Sequence, residues 1–338
     1  MRLRSLCLSI CLFMLVKPAR TQNNDVQMVG AGTTMPIEIN AVWFREFEKT
    51  HSNIHFHYLP YGSGEGTELV RSGKVDFAGA DVPMTRTQLS EAGILQFPVV
   101  LGAVVPAYNL PGVTVPLKFS PQVLAGIYLG TIKRWNDPAV ARLNPAANLP
   151  GSEIVVFHST GGRGSAYVWS DFLSKVSEHW RREVGVGLSI TWPTGRSAAG
   201  TGNLAQLVKE TPNSIGYVWL VYALRYRLAY GQVQNGAGNF VAADAASITA
   251  AASTVAQTMP SDFHISITNA PGERAYPIAS FTWVLIPRKT ETEQKQRAMR
   301  QFLNWVLTRG QPYAEEAGFV RLPSAVVEKE LAVINKSE

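Results

Sequence analysis

The chain has 338 residues, of which 46% are hydrophobic and 17% charged, a balance that suits a folded protein with a large core and excludes intrinsic disorder or a collagen-like fibre. At roughly 150 residues per domain, the length suggests two domains. A net charge of +6 and a pI near 9.3 raise nucleic acid, an anionic membrane surface or a small anion as partners, and two cysteines are too few for a disulfide framework.

The N-terminus opens Met1-Arg2-Leu3-Arg4, continues as an apolar run from Leu6 to Val16 broken only by Ser9, and then turns polar after Lys17 and Arg20. This is the pattern of a secretory signal, too short for an ordinary membrane-spanning helix. Residues 1–21 are therefore expected to be a signal peptide, and the protein to be exported to the periplasm. No clean small-x-small pair precedes Gln22, so an uncleaved anchor stays open. Cys7 and Cys11 both lie inside the segment, which leaves a mature chain without cysteine. Residues 1–20 hold Arg2, Arg4, Lys17 and Arg20 and no acid, so 27 of the 31 basic residues remain against 25 acidic ones. Most of the electrostatic argument for nucleic acid leaves with the signal.

Four small-residue stretches punctuate the rest, at Gly30–Thr34, Tyr61–Gly66, Ser159–Ser165 and Gly195–Asn203. After the first, Pro36 sits where a helix tolerates proline, and Ile37, Ala41, Phe44 and Phe47 recur at helical spacing. Strand, small-residue turn and helix in succession is the α/β arrangement. Thr67–Ser72 reads as a helix, Val75–Ala80 as a buried strand, Gln96–Tyr108 as a β-rich run and Ser165–Trp180 as one long helix. The proline-rich stretch Pro106–Pro121 suggests a crossing between lobes. Val241–Thr258 fits a helix, Ala279–Ile286 a strand, and Thr292–Thr308 a helix with Phe302, Trp305 and Val306 inward.

Glycine-rich loops leave backbone N–H groups uncovered, and a helix that opens from one adds unpaired donors and a partial positive charge. Several such loops together can enclose a dehydrated oxyanion; taken singly, each reads first as a tight βα turn. The chain has no P-loop, and Gly62-x-Gly64-x-Gly66 lacks dinucleotide spacing. G-x-S-x-G and H-E-x-x-H are also missing. His55 and His57 alternate on a strand whose apolar face is Ile54, Phe56 and Tyr58, which turns them toward solvent, and a lone H-x-H lacks a third metal ligand nearby. Neither a metal nor a cofactor is implied.

Several ordered motifs carry a family signature. They include Gly30-Ala-Gly-Thr-Thr-Met-Pro36, Gly62-Ser63-Gly64, Gly73-Lys-Val-Asp-Phe-Ala-Gly-Ala-Asp81, Trp192-Pro-x-Gly195 and Ile215-Gly-Tyr-Val218. From about residue 29 to the C-terminus the chain resembles the phosphate-binding protein of Pst-type ABC importers. The resemblance implies a two-lobed periplasmic-binding-protein fold of type II, α/β, each lobe a mixed sheet flanked by helices. Lobe I would comprise 26–104 plus 276–338 and lobe II 105–275, with the ligand in the cleft between them.

Carried over by position, the resemblance assigns phosphate contacts to Thr34, Met35, Ser63, Asp81, Gly164 and Ser165. Asp81 would be the selectivity element. A carboxylate accepts a hydrogen bond from protonated phosphate but faces sulfate lone pair to lone pair, and a site built on such a bond can reject the analogue by about 10⁴-fold. The fourth loop departs from the family's Arg-x-Asp-Gly-Ser-Gly-Thr. Here His158-Ser-Thr-Gly-Gly-Arg163-Gly-Ser165 reads as one residue longer, with His158 or Ser159 at the arginine position. Arg163 either restores the lost charge or points to solvent. The expected function is capture of inorganic phosphate and delivery to the permease and ATPase subunits of an ABC importer, by a monomer that catalyses nothing and binds no nucleic acid. Another oxyanion or an organophosphate as ligand, or a phosphohydrolase activity, are the rival readings.

Overall fold

A computed structural model describes residues 25–336. The expected signal peptide, with Cys7 and Cys11, lies outside the described residues. Among these, no helix is long and apolar enough to cross a membrane.

Nine strands form one curled sheet. Eight lie in the order Ile54–Leu59, Val26–Gly32, Phe77–Ala80, Ala279–Pro287, Ile94–Asn109, Ser214–Trp219, Val155–Thr160 and Arg196–Ala199, and the ninth, Ala229–Tyr230, pairs with the long strand Ile94–Asn109. The first three pair in parallel, as expected of strand–turn–helix units whose helices make the crossover. The same parallel pairing recurs at the far end, where Val155–Thr160 lies between Ser214–Trp219 and Arg196–Ala199.

The sixteen-residue strand Ile94–Asn109 joins the two halves. Its residues from Ile94 to Ala103 pair antiparallel with Ala279–Pro287, and those from Val104 to Asn109 with Ser214–Trp219. It is buried on both faces, which explains its nearly unbroken apolar sequence. Pro106 lies inside it, and the proline-rich loop begins only after Asn109. The register against Ala279–Pro287 slips between Thr282 and Trp283, opposite Pro98, a proline that has no N–H to give the ladder.

Each half has its own aromatic core. Phe44, Phe47, Phe56, Phe77 and Phe302 cluster in the first, with Phe56 and Phe302 centroids 4.3 Å apart. Tyr128, Trp169, Trp192 and Tyr217 cluster in the second, with Trp192 and Tyr217 stacked at 5.2 Å. Such pairs contribute about 0.5–1.5 kcal/mol each beyond the area they bury.

Three elements differ from the sequence reading. The helix expected over Ser165–Trp180 is two, Gly164–Val176 and Glu178–Glu183, because Ser177 is extended and its hydroxyl caps the second by accepting from Trp180 N at 3.2 Å. The helix expected at Thr67 begins at Ser63, inside the glycine-rich stretch. The one expected over Thr292–Thr308 runs from Glu293 to Trp305, loosens into a π-turn at Val306–Gly310 and continues over Gln311–Glu316. In that turn Gly310 O accepts from Trp43 Nε1 at 2.7 Å.

Candidate anion-binding cleft

The four small-residue stretches each end at a helix N-terminus, and none of the four helices is capped by a side chain. They are Ile37–Glu48, Ser63–Arg71, Gly164–Val176 and Thr201–Glu210, preceded by Pro36, Gly62, Arg163 and Gly200. By contrast Thr85, Ser120, Asp137, Ser177, Asp244 and Thr292 each accept a backbone N–H at other helix starts. Uncapped donors at one place make a site for negative charge.

Glycine permits the close approach of the first two loops. Gly32 lies at φ 137°, where a side chain would be strained, and a Cβ on Gly66 would overlap the Gly32 backbone. Gly62 N donates to Gly32 O at 2.8 Å. Ser63 and Asp81 are thereby brought together, with Asp81 N donating to Ser63 Oγ at 3.1 Å.

Asp81 stands at the centre, 1% exposed. Its Oδ2 accepts from the Thr33 hydroxyl and its Oδ1 from Thr282 Oγ1 at 2.7 Å. Burial pushes its carboxyl up to about 6, against the opposing pull of the Thr33, Thr282 and Ser63 hydroxyls. Met35 N donates to Thr33 Oγ1 at 3.3 Å. Thr34, half-buried just before the first helix, has its carbonyl accepting from Tyr222 Oη at 3.2 Å.

The opposite wall comes from the second half of the sheet. Gly164 lies directly against Asp81, so closely that a Cβ there would overlap Asp81 Cβ and Oδ2. Ser165 Oγ is 3.3 Å from Thr201 Oγ1, both residues buried. Gly64 N donates to Gly162 O at 3.3 Å. Arg163 is half-buried; it reaches across, its Nη1 donating to Tyr61 O at 3.1 Å, while Nε donates to Thr160 O at 3.4 Å. The two walls are shut on each other.

The residues put forward from sequence fall into two groups. Thr34, Met35, Ser63, Asp81, Gly164, Ser165 and Arg163 meet in this cleft. Ser159 lies behind it, its N–H donating to Tyr217 Oη at 3.0 Å and its Oγ 2.9 Å from the same oxygen. His158 stacks on Trp192 with centroids 5.0 Å apart, and burial lowers its imidazole pKa. Sequence reasoning passed over Thr33, Thr282, Thr201 and Tyr222. Thr33 and Thr201 stand inside the small-residue stretches Gly30–Thr34 and Gly195–Asn203, and the signal for Thr282 was a hydroxyl inside the apolar run Ala279–Pro287, because a buried hydroxyl needs a partner. Elsewhere His57 is exposed and His55 Nδ1 faces Glu48 Oε2 at 3.5 Å.

Residues 18–309 match the model of the PBP superfamily domain. The chain is 38% identical over 303 residues to the phosphate-binding protein PstS of Pasteurella multocida, covering 89% of this chain and 88% of that one. It is 36% identical to PstS of Haemophilus influenzae, covering 89% and 90%. The fold matches that of the high-affinity periplasmic phosphate-binding protein PfluDING with a TM-score of 0.72 at 19% identity, covering 91% and 93%. A phosphate-binding protein from Stenotrophomonas maltophilia matches with a TM-score of 0.66 at 17% identity, covering 90% and 92%. The architecture is thus the two-lobed periplasmic-binding-protein fold, and the chain belongs to the PBP superfamily and, within it, to the PstS family of phosphate-binding proteins.

Proposed function

We propose that this protein is an exported, periplasmic solute-binding protein that captures inorganic phosphate between its lobes and delivers it to the permease and ATPase subunits of an ABC importer. It acts as a monomer and catalyses no reaction. The observation that supports the reading is that four uncapped helix starts, two from each half of the sheet, converge on one buried carboxylate, with Asp81 N on Ser63 Oγ and Gly164 packed against the Asp81 side chain. Donors bind the phosphate oxygens, and Asp81 accepts from the P–OH group that sulfate lacks. Arg163 supplies a positive charge at the rim and, through Tyr61 O, part of the closure.

The lobes are 26–104 with 276–338, and 105–275, in keeping with the change of pairing partner between Ala103 and Val104. Ligand held from both sides stabilises the closed form that the permease recognises. Isothermal titration of the mature protein tests the reading. Tight phosphate binding with sulfate weaker by orders of magnitude is expected, and clear binding of another oxyanion with none of phosphate would refute it.

A further inference from the structure

Asp81 is held by two hydroxyls from distant parts of the chain, and one of them has no counterpart among the cleft's loops. Thr282 belongs to the strand Ala279–Pro287, 201 residues along the chain from Asp81. That strand pairs antiparallel with Phe77–Ala80, Trp283 opposite Ala80, so Thr282 falls opposite Asp81, one residue past the strand end. On its other side the register slips beside Thr282, a local irregularity of the kind that re-aims a side chain next to a functional site. Thr282 is 1% exposed; its Oγ1 lies 2.7 Å from Asp81 Oδ1 and 3.8 Å from Met35 Sδ.

We propose that Thr282 is a specificity-determining positioning residue, which together with Thr33 holds the Asp81 carboxylate ionised and aimed at the ligand's P–OH. The inference rests on the proposed phosphate site. A threonine hydroxyl has one hydrogen, and with Asp81 Oδ1 at 2.7 Å that hydrogen goes to the carboxylate. Each carboxylate oxygen then accepts one hydroxyl and keeps lone-pair capacity for the ligand. Burial works the other way, toward a neutral acid. A neutral Asp81 would itself donate a hydrogen bond, and sulfate could accept it. Discrimination against sulfate therefore depends on the donors that keep Asp81 charged.

The ionisable groups facing Asp81 are Tyr58 and Tyr222, with Arg163 beyond Tyr222. Burial first, and then the Asp81 charge, raises both phenols. They stay neutral across the range in which Asp81 titrates, so Asp81 dominates the pH response.

The test compares wild type, Thr282→Val and Thr282→Ser by titration with phosphate and with sulfate from pH 5 to pH 9. Phosphate's own titration is common to all three proteins and cancels in the comparison. In Thr282→Val the fall of the phosphate-to-sulfate affinity ratio should begin about one pH unit higher than in wild type, leaving the ratio about tenfold lower near neutrality. Thr282→Ser should restore the wild-type curve. Superimposed curves, or a loss uniform in pH that serine does not rescue, would overturn the proposal. Thr282→Ala replaces valine if the latter does not fold. If wild type binds no phosphate, the functional reading fails separately. The Asp81 titration followed by carboxyl-carbon NMR in wild type and variant still decides the role of Thr282, an unmoved pKa counting against it.

Discussion

Gly164→Ala adds one methyl group where the two walls of the cleft meet. The built Cβ overlaps Asp81 Cβ and Oδ2, whereas relaxed carbon contacts lie at about 3.5–4.0 Å, so the walls must part by about 1 Å or more. Asp81 cannot yield, because Thr33, Thr282 and Ser63 hold it on three sides. Parting the walls stretches Gly64 N–Gly162 O, Arg163 Nη1–Tyr61 O and Tyr222 Oη–Thr34 O. At about 0.5–1.5 kcal/mol net for each hydrogen bond, the closed state loses about 2–4 kcal/mol. Phosphate affinity should fall about 30- to 1000-fold. Folding should be nearly unaffected, since Gly164 opens a helix where alanine is tolerated and its φ is not positive. Calorimetric titration measures the affinity, and small-angle scattering with excess phosphate should find the variant more open than wild type. Wild-type affinity in Gly164→Ala would refute both the contact and the closure built on it.

Asp81→Asn should stabilise the unliganded protein at neutral pH. The folded carboxyl titrates at about 6 against 3.8 ordinarily, so the penalty is absent below about pH 4, grows between pH 4 and 6 and is full above. The difference corresponds to roughly 3 kcal/mol at most. Urea unfolding of both proteins at pH 4 and pH 8 checks it, and an equal effect at the two pH values would contradict it. Arg163→Ala removes the bond to Tyr61 O and a rim charge, and should weaken phosphate binding about five- to thirtyfold; an unchanged titration would place this arginine outside the function. Tyr222→Phe deletes only the hydroxyl on Thr34 O, and a loss of about 1 kcal/mol in phosphate binding is expected. Glu38→Ala breaks the ion pair with Arg225, whose two side chains are 45% and 44% exposed; a change in affinity beyond about 1 kcal/mol would contradict the small contribution expected of an exposed pair.

How far the sequence carried the site depended on where its information sat. Thr34, Ser63 and Asp81 lie in short motifs at the ends of strands, where a loop's composition determines its geometry, and they were legible. Arg163 was not. It follows Gly161 and Gly162, both left-handed at φ 81° and 63°, and two such residues in succession set a side-chain direction that composition does not reveal. Thr33 and Thr282 escaped for another reason. Thr33 meets Asp81 through the parallel pairing of Val26–Gly32 with Phe77–Ala80, and Thr282 through the register of Ala279–Pro287 beside Phe77–Ala80, a pairing between segments about two hundred residues apart. The helix break at Ser177 was a local competition between side-chain capping and helix continuation, with serine able to serve either. The layout of alternating strands and helices was visible because the central strands beside the cleft, such as Phe77–Ala80 and Ala279–Pro287, are buried and apolar, and the turns there are rich in glycine.

On the proposed reading, the four helix starts would let a PstS chain do without the arginine–aspartate pair that the family's fourth loop usually carries. Each helix N-terminus carries roughly half an elementary positive charge, so four together approach the magnitude of a phosphate dianion before any ionised side chain is counted. Ser159, at or next to the altered arginine position, is tied to Tyr217, and Gly161 turns where an acid would stand. Such a site would rely on backbone dipoles that need no counterion, leaving Asp81 as its one buried charge. That charge opposes anion binding in general and favours only an anion that brings a proton. On the proposed reading, affinity would be set mainly by the helix ends and hydroxyls, and selectivity by the protonation state of Asp81, which Thr282 would help to hold.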